Sequence, residues 1–477
     1  MLYDVVIAGA GVIGGMLARA LSRYDLSVCL LEKENDVACG ASKANSGIVH
    51  GGFDPVPGTL KAKLNAEGVP MLFRAAEELH VPHRHNGSMV CAFGADEEPT
   101  LRALYARGLQ NGIPGLTLLS GDEARALEPA LSPEITLVLR SETAGIICPY
   151  ELTIAAVGCA IENGVTLRRN FEITAISHGE DGFTLRSADG EAVQSRYLVN
   201  CAGCGSDRVA ALAGDGFFRI LPRAGEYLLL DKSEGGRVGH TVFQVPSAAG
   251  KGILVTPTVD GNLLTGPTAS AVASADCTGT TAEGLQKVTE LARKSVPSVD
   301  FRQVITSFTG VRSSEQSGDF ILRISEAVPH LIHAAAIDSP GLTCSAAIAE
   351  YVTALLRQDG LRLEPKADWN GGREDPHAFR HMTDREKNAV IARDPAYGRI
   401  VCRCETVSEG ELRDAIRREP VPLDLDGVKR RTRSGMGRCQ GGFCSPRVMQ
   451  LLSEELGVPT EAVTKNGHGS VTVTGRL

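Results

Sequence analysis

The chain opens with a pattern of apolar and small residues that predicts a strand, a tight turn and a helix. Residues 4–8 form a short apolar run typical of a buried strand, and residues 16–23 carry apolar side chains at helical spacing. Between them, Gly9-Ala-Gly11-Val-Ile-Gly14 matches G-x-G-x-x-G. A second apolar run, residues 27–31, predicts the next strand and ends at Glu32.

This order of elements indicates a dinucleotide site. Glycines let the backbone turn sharply and approach a pyrophosphate, whose charge is stabilised at the helix N-terminus. Glu32 falls where a carboxylate accepts a hydrogen bond from the adenosine ribose, and an acid there disfavours a 2'-phosphate. The pattern therefore predicts FAD or NAD rather than NADP, with a Rossmann-like fold lacking a ligand as the weaker alternative.

Later stretches predict sheet structure. Residues 183–187 and 192–199 flank Asp189-Gly190 as a hairpin that leads into Asn200-Cys-Ala-Gly203. Residues 227–230 and 252–255 alternate apolar and polar positions, which predicts an antiparallel sheet.

Composition sets the outer limits of the interpretation. A chain of 477 residues, 43% hydrophobic and 22% charged, suits a globular protein of about three domains. Its net charge of -8 gives no reason to expect nucleic-acid binding. Asp4, Arg19 and several glycines interrupt the apolar start, so we expect neither a signal peptide nor a membrane span there, and a cytoplasmic protein.

Four cysteines near the end form two tight pairs, Cys402 with Cys404 and Cys439 with Cys444. Four thiolates are what a two-iron cluster requires. Structural zinc and disulfides are the alternatives, although Cys-x-Cys is tighter than usual zinc spacing. The total of 13 cysteines is odd and most are scattered singly, which favours a reduced protein. The pattern predicts a [2Fe-2S] cluster.

Five segments together resemble the D-amino-acid-oxidase-like flavoprotein superfamily: the glycine loop with Glu32, then residues 46–52, 199–203, 310–312 and 338–343. The resemblance implies FAD as the cofactor. It also implies that the loop at Gly341 leads into a helix, seen in the spacing of residues 346–356, whose N-terminus faces the flavin and stabilises negative charge there. The residues expected to hold FAD are Gly9, Gly11, Gly14, Glu32, Ser42, Asn45, Ser46, Gly47, Ala202, Gly203, Gly341, Leu342 and Thr343.

The cysteine segment resembles a [2Fe-2S] domain of the bacterioferritin-associated-ferredoxin type. Joined to the flavoprotein core, it resembles the large subunit of anaerobic glycerol-3-phosphate dehydrogenase. Residues 57–63 and 225–229 also resemble L-2-hydroxyglutarate oxidase, a family that normally lacks the cluster domain. Amino-acid or opine dehydrogenases with similar cluster domains stay open.

These families oxidise a carbon that bears a hydroxyl or an amine, which requires a base and an anion-binding group. His50 is our candidate base, with a structural histidine as the alternative. Arg312 is the candidate anion clamp, with an ion pair to Glu315 or Asp319 as the alternative. Three further basic residues are weaker candidates, and for each of them we favour a solvated surface position: Lys61, Lys63 and Arg223.

We predict an α/β fold with an antiparallel-sheet substrate domain and a small helical cluster domain. FAD-binding segments are expected at 1–85, 140–215 and 305–362, and the substrate domain at 86–139 and 216–304. A linker at 363–395, a cluster domain at 396–457 and a tail at 458–477 follow. Within the cluster domain we expect helices at 408–417 and 445–456. We interpret the basic run 429–433 as a solvated face, with binding of the cluster's partner as the alternative.

The resemblance implies an FAD-dependent dehydrogenase that oxidises sn-glycerol 3-phosphate and passes electrons through the cluster to a partner subunit. L-2-hydroxyglutarate or another 2-hydroxy acid is the alternative substrate. A non-catalytic electron-transfer subunit is the alternative of another class. Through its partner the protein would be peripheral to the inner membrane. The sequence leaves open the substrate stereochemistry, the electron acceptor and the mode of FAD attachment.

Overall fold

The start of the chain folds into the strand, turn and helix that its pattern predicts. The computed structural model describes residues 2–246, 252–376 and 378–475. The first strand is Leu2–Ala8, and the helix Val12–Leu21 follows the glycine loop. The second strand, Val28–Leu31, pairs parallel with the first and brings Glu32 to the same edge of the sheet as the loop.

An eight-stranded sheet organises this part of the molecule. The hairpin predicted around Asp189-Gly190 is confirmed, since its two strands pair antiparallel. The second of them then runs parallel to Leu2–Ala8, which carries its end to the glycine loop. The strands are Ile173–Gly179, Gly182–Ser187, Ala192–Asn200, Leu2–Ala8, Val28–Leu31 and Thr166–Arg168 in spatial order, with Leu331–Ala335 beside Ala192–Asn200 and Ile321–Ile324 beside Leu331–Ala335.

A second, nine-stranded sheet lies mainly in the segments predicted as the substrate domain, here called the substrate part, and differs from the prediction in two respects. It is antiparallel except for one parallel pair, Thr241–Gln244 with Ser88–Ala92. The strand Val304–Ser314, which we assigned mostly to the FAD-binding part, pairs along Leu221–Leu230 in this sheet. The other strands are Ser270–Ala271, Leu263–Gly266, Leu254–Pro257, Leu137–Ser141 and Leu116–Ser120.

Twelve α-helices lie in the described ranges. Val12–Leu21 packs against two others, Pro149–Glu162 and Gly341–Gln358, beside the first sheet. None of the helices in the described part is long and apolar enough to cross a membrane. The remaining helices are Leu60–Glu78, Glu98–Gln110, Gly121–Leu127, Ser206–Leu212, Ala282–Ser295, Asp384–Arg393, Glu409–Arg417, Leu425–Thr432 and Ser445–Leu456. A small sheet joins Ile48–Val49, Gly145–Ile147 and His83–Arg84.

The C-terminal segment forms a small helical unit with its own core. The strands Ile400–Cys402 and Val407–Ser408 pair, and the helix Glu409–Arg417 follows. Ser408 caps that helix as predicted, because its side chain accepts a hydrogen bond from the Glu411 N–H and Glu411 reciprocates. The second predicted helix, Ser445–Leu456, is also present. The buried core of this unit includes the two cysteines Cys402 and Cys444.

The segment predicted as a linker packs on the rest of the protein. It contains the helix Asp384–Arg393 and a buried arginine, Arg373. The Arg373 guanidinium donates to the Glu162 carboxylate and to the carbonyl of Glu419, so it joins the FAD-binding part to the cluster domain.

The interpretation of the basic run as a solvated face is wrong. Residues 425–432 form a helix, and its arginines Arg430 and Arg431 both bind the Asp36 carboxylate. Asp36 is fully buried, and the side chains of the two arginines are only 5% and 6% exposed. The run therefore docks the cluster domain onto the FAD-binding part. Sequence charge could not show this because Asp36 lies almost 400 residues earlier in the chain.

Candidate active site

One large cavity of about 1590 Å³ is lined by residues of both sheets. Typical pockets for a single small ligand measure roughly 300–1,000 Å³, so this cavity has room for a dinucleotide together with a substrate. His50 and Arg312 both lie on its wall. The predicted cofactor residues on the wall are Gly9, Gly11, Glu32, Ser42, Asn45, Ser46, Ala202, Gly203, Gly341 and Leu342.

The glycine loop is built so tightly that side chains would not fit. Gly9 has a φ of +105°, and a Cβ added to it would lie 2.5 Å from the carbonyl oxygen of Cys201. A Cβ on Gly14 would lie 1.9 Å from the oxygen of Gly9. Gly14 is therefore behind the wall, where it allows the helix to approach the loop and leaves bare backbone facing the cavity.

Glu32 is held firmly at the end of its strand. Its carboxylate accepts hydrogen bonds from the Ala10 N–H at 2.8 Å and from the Glu34 N–H at 3.0 Å. Burial raises the pKa of Glu32, and these two main-chain donors oppose that rise. The side chain is thus fixed at the cavity where a ribose hydroxyl is expected.

The segment around Gly47 is shaped by a turn that also positions its neighbours. Gly47 has a φ of +65°, and Asn45 Oδ1 accepts its N–H at 2.8 Å. A Cβ on Gly47 would meet the carbonyl oxygen of Ile147 at 2.5 Å. Gly47 and Thr343 lie behind the wall with Gly14. Thr343 instead accepts the His50 N–H on its Oγ1 at 2.9 Å and so ties this segment to the Gly341–Gln358 helix.

His50 is oriented from three sides. Its Nε2 lies 3.2 Å from the hydroxyl of Ser339, and its ring stacks on Phe243 with 5.9 Å between ring centroids. Its carbonyl accepts a hydrogen bond from the Asn65 side chain. The imidazole is therefore fixed at the cavity wall, beside the N-terminus of the Gly341–Gln358 helix.

Arg312 does not form the ion pair with Glu315 or Asp319 that was the alternative to anion binding. Within the part of the chain described, no carboxylate forms an ion pair with Arg312. Its guanidinium contacts the Thr268 carbonyl at 3.4 and 3.5 Å and the hydroxyl of Tyr227. Asp319 instead accepts main-chain N–H groups of residues 60 and 61. Gly225 makes room for the guanidinium, because a Cβ there would lie 2.6 Å from Arg312 Nη2. Hydrogen-bond donors of Arg312 stay available for an anion.

Two basic candidates from the sequence join the cavity, and a third does not. Arg223 lies directly opposite Arg312 in the antiparallel ladder, so both side chains share one face of the sheet. Lys61 also lines the cavity but binds Asp338 at 2.6 Å and is only 14% exposed, rather than being solvated. Lys63 is exposed and lies over the ring of Tyr351, away from the wall.

Sequence reasoning missed Tyr227 as a site residue. It lines the cavity, and burial raises the pKa of its hydroxyl, while the nearby groups of Arg312 and Ser46 oppose that rise. Its position two and four residues after Gly225 and Arg223 on one strand places it on their face of the sheet. That alternation was the available signal.

The four predicted cluster cysteines meet in two pairs. Cys404 and Cys439 have their sulfurs 3.7 Å apart. Cys402 pairs with Cys444, and the hydrogen bond between their sulfurs lowers the pKa of Cys402 and raises the pKa of Cys444.

The arrangement distinguishes the alternatives for this quartet. None of the 13 cysteines forms a disulfide. Free thiols exclude the disulfide alternative. Four thiols that meet in two pairs can supply two cysteines to each iron of a [2Fe-2S] cluster.

Comparison with known families identifies the cofactors of the protein. Residues 4–355 match the FAD dependent oxidoreductase family. The chain belongs to that family. Residues 400–454 match the BFD-like [2Fe-2S] binding domain. The protein is therefore an FAD-dependent oxidoreductase with a [2Fe-2S] cluster, and the zinc and non-catalytic alternatives are not retained.

Individual relatives agree with this assignment. The chain is 43% identical to a glycerol 3-phosphate dehydrogenase of Caloramator mitchellensis over 99% of its own length and 98% of the relative's. It is 32% identical to the human mitochondrial L-2-hydroxyglutarate dehydrogenase over 56% of its length and 61% of that protein's. Its fold matches the FAD-bound L-alpha-glycerophosphate oxidase of Mycoplasma pneumoniae with a TM-score of 0.74 and 32% identity, covering 78% of this chain and 98% of the other.

Proposed function

We propose that this oxidoreductase converts sn-glycerol 3-phosphate to dihydroxyacetone phosphate and delivers the electrons, through its cluster, to a partner protein. The substrate assignment rests on the pair of arginines on the cavity wall. Arg312 and Arg223 face the cavity from adjacent strands, and two guanidinium groups side by side suit a doubly charged phosphate. The full-length similarity to a glycerol 3-phosphate dehydrogenase supports the same choice.

FAD and the residues of the site have different roles in the proposed reaction. FAD, when bound, supplies the acceptor for the hydride that leaves the substrate carbon. Arg312 binds the phosphate and so orients the hydroxyl-bearing carbon. His50 takes the hydroxyl proton at the imidazole, which Ser339 orients through its contact with Nε2. The N-terminus of the Gly341–Gln358 helix, which has no acidic residue in its first turn, favours negative charge at the cofactor.

We assign FAD binding to residues of the cavity wall. They lie in the glycine loop, in residues 42–46 and 202–203, and in the Gly341 loop. Gly14, Gly47 and Thr343 contribute by shaping these loops. The glycine loop fits this role because its backbone comes to the cavity without side chains in the way. The buried, hydrogen-bonded Glu32 fits the ribose.

Anaerobic mixing of the purified protein with candidate substrates tests the proposal. We expect sn-glycerol 3-phosphate to bleach the flavin absorbance within the time of a turnover, and L-2-hydroxyglutarate to bleach it much more slowly. The substrate assignment is overturned if L-2-hydroxyglutarate bleaches the flavin rapidly and sn-glycerol 3-phosphate does not. In that case the cavity would bind a 2-hydroxy acid through the carboxylate groups of that acid.

A further inference from the structure

The cluster site has one buried edge and one exposed edge. Cys402 and Cys444 are 2% and 3% exposed and belong to the core of the domain. Cys404 is exposed and Cys439 is partly exposed. Solvent, and any partner that comes from solvent, therefore reaches the cluster site at the second pair of cysteines.

An aromatic residue lies at this exposed edge, because the main-chain N–H of Phe443 donates a hydrogen bond to Cys439. Phe443, directly before Cys444, is 89% exposed, the largest value among the exposed large hydrophobic residues of the described chain. A phenyl ring held in water without a packing partner costs free energy that contact with a partner recovers. An isolated exposed apolar residue is common on protein surfaces, so the ring alone does not identify a docking site.

The charge around this ring supplies the second observation. Arg403 is exposed, lies between two cluster cysteines and forms no ion pair within the described ranges. The Arg438 side chain is 65% exposed, forms an ion pair with Asp231 at 3.3 Å and donates a hydrogen bond to the Gln303 side chain at 2.7 Å. The nearby acid Glu405 is buried and already neutralised by Arg433 and Lys232. The exposed edge is therefore positively charged in a protein whose net charge is -8.

We propose that this edge, formed by Arg403, Cys404, Arg438, Cys439 and Phe443 and here called the cluster rim, docks a small acidic one-electron carrier protein. The proposal rests on the exit of electrons through the cluster stated above. Arginine and aromatic residues dominate the binding energy of interfaces, and complementary charge accelerates encounter. A small patch of this kind suits the limited, transient contacts of electron-transfer partners.

The stoichiometry of the exchange is fixed by the substrate. Oxidation of one secondary alcohol to a ketone releases two electrons and two protons. Each oxidised carrier accepts one electron, so two carrier molecules are reduced for each alcohol and two protons pass to solvent. Each carrier must therefore leave before the next one binds, which requires weak, reversible docking.

Binding of a flavodoxin, an acidic carrier, to the oxidised full-length protein tests the proposal by calorimetry without any turnover. We expect a dissociation constant in the micromolar range or weaker that rises with salt. Phe443→Ala and the charge reversals Arg403→Glu and Arg438→Glu should each weaken binding at least tenfold. Arg102→Glu is the matched control, because Arg102 is 57% exposed on a helix of the substrate part. Iron content of each variant confirms that the cluster is retained.

Three results overturn the proposal. The first is flavodoxin binding that the three rim variants leave unchanged, and the second is equal binding of a basic carrier, a cytochrome c. The third is a self-associated protein that Phe443→Ala converts to monomers, which would assign the rim to a second copy of this chain. Failure of sn-glycerol 3-phosphate to bleach the flavin would overturn the proposed substrate but would leave these binding results intact.

Discussion

Arg433 Nε lies 2.8 Å from the carboxylate of Glu405, the residue that directly follows Cys404, one of the four predicted cluster ligands. The same guanidinium donates to Asp260 of the substrate part at 2.7 Å and to the hydroxyl of Tyr150 in the FAD-binding part at 3.2 Å. Its side chain is only 6% exposed. One arginine therefore joins all three parts of the protein beside the cluster.

Replacement of Arg433 should separate substrate oxidation from electron exit. Arg433→Met leaves Asp260 and Glu405 with fewer partners, and breaking a buried ion pair costs about 3–5 kcal/mol. We expect flavin bleaching by the substrate to persist, while reduction of an external one-electron acceptor slows at least tenfold. Stopped-flow spectroscopy follows both steps. Arg302→Met, at a side chain 88% exposed, is the control and should change neither step.

Acidification should weaken the docking of the cluster domain onto the FAD-binding part, because it protonates Asp36. Burial alone would raise the pKa of Asp36, but Arg431 and Arg430 outweigh it and lower the pKa from 3.8 to about 2. Because the folded pKa is below the unfolded one, this contribution is complete above about pH 4 and is lost as the pH falls toward 2. Limited proteolysis between pH 5 and pH 2.5 with pepsin measures the loss.

The variant Asp36→Asn should show the same weakened docking of the cluster domain at neutral pH. We expect its free energy of unfolding in urea to fall by about 3–5 kcal/mol, since two buried arginines lose their partner. Glu172→Gln removes an exposed pair with Arg208 and should cost less than about 1 kcal/mol. Equal losses in the two variants would contradict the docking role of Asp36.

Arg312 should control substrate affinity. A hydrogen bond to a charged group contributes about 1.5–3 kcal/mol, which corresponds to roughly 10- to 150-fold in affinity. We expect Arg312→Met to raise KM for sn-glycerol 3-phosphate by that factor and Arg312→Lys to restore part of it. Steady-state kinetics with an artificial acceptor measures KM and kcat. An unchanged KM in Arg312→Met would remove the arginine from phosphate binding.

His50 should control the proton transfer. General bases contribute about 100- to 10,000-fold, so we expect His50→Asn to lower the rate of flavin bleaching by a factor in that range. The fall in bleaching rate at low pH, which is the acidic limb of the pH profile, should also disappear in this variant. Ser339→Ala should retain the limb and slow bleaching less, because it alters only the contact with Nε2. A His50→Asn profile with the limb intact would show that another group is the base.

The cluster cysteines should be distinguishable from the other thiols. Cys402→Ser should lose iron and acid-labile sulfide, while flavin bleaching by the substrate persists because the cavity is formed by other segments. Cys277→Ser, at an exposed cysteine outside the quartet, should retain the full iron content. Elemental analysis compares the two. Zinc instead of iron in the purified wild-type protein would contradict the cluster assignment.

Much of the site was predictable because its signals are local. The glycine loop with Glu32, the Ser408 cap and the paired cysteines each occupy a few neighbouring residues, and short-range geometry determines their structure. The hairpin at Asp189-Gly190 and the helix Ser445–Leu456 follow for the same reason.

The sequence by itself determined the fold class and the two cofactors of this protein, FAD and a [2Fe-2S] cluster. The tertiary structure alone decided which charges are paired. It buried the basic run on Asp36 and paired Lys61 with Asp338. It placed Arg312 opposite Arg223, with no carboxylate paired to Arg312 among the residues that the structure describes. The physical reason is that an ion pair depends on distance in space. These partners lie scores to hundreds of residues apart, so no periodicity along the chain records their contact.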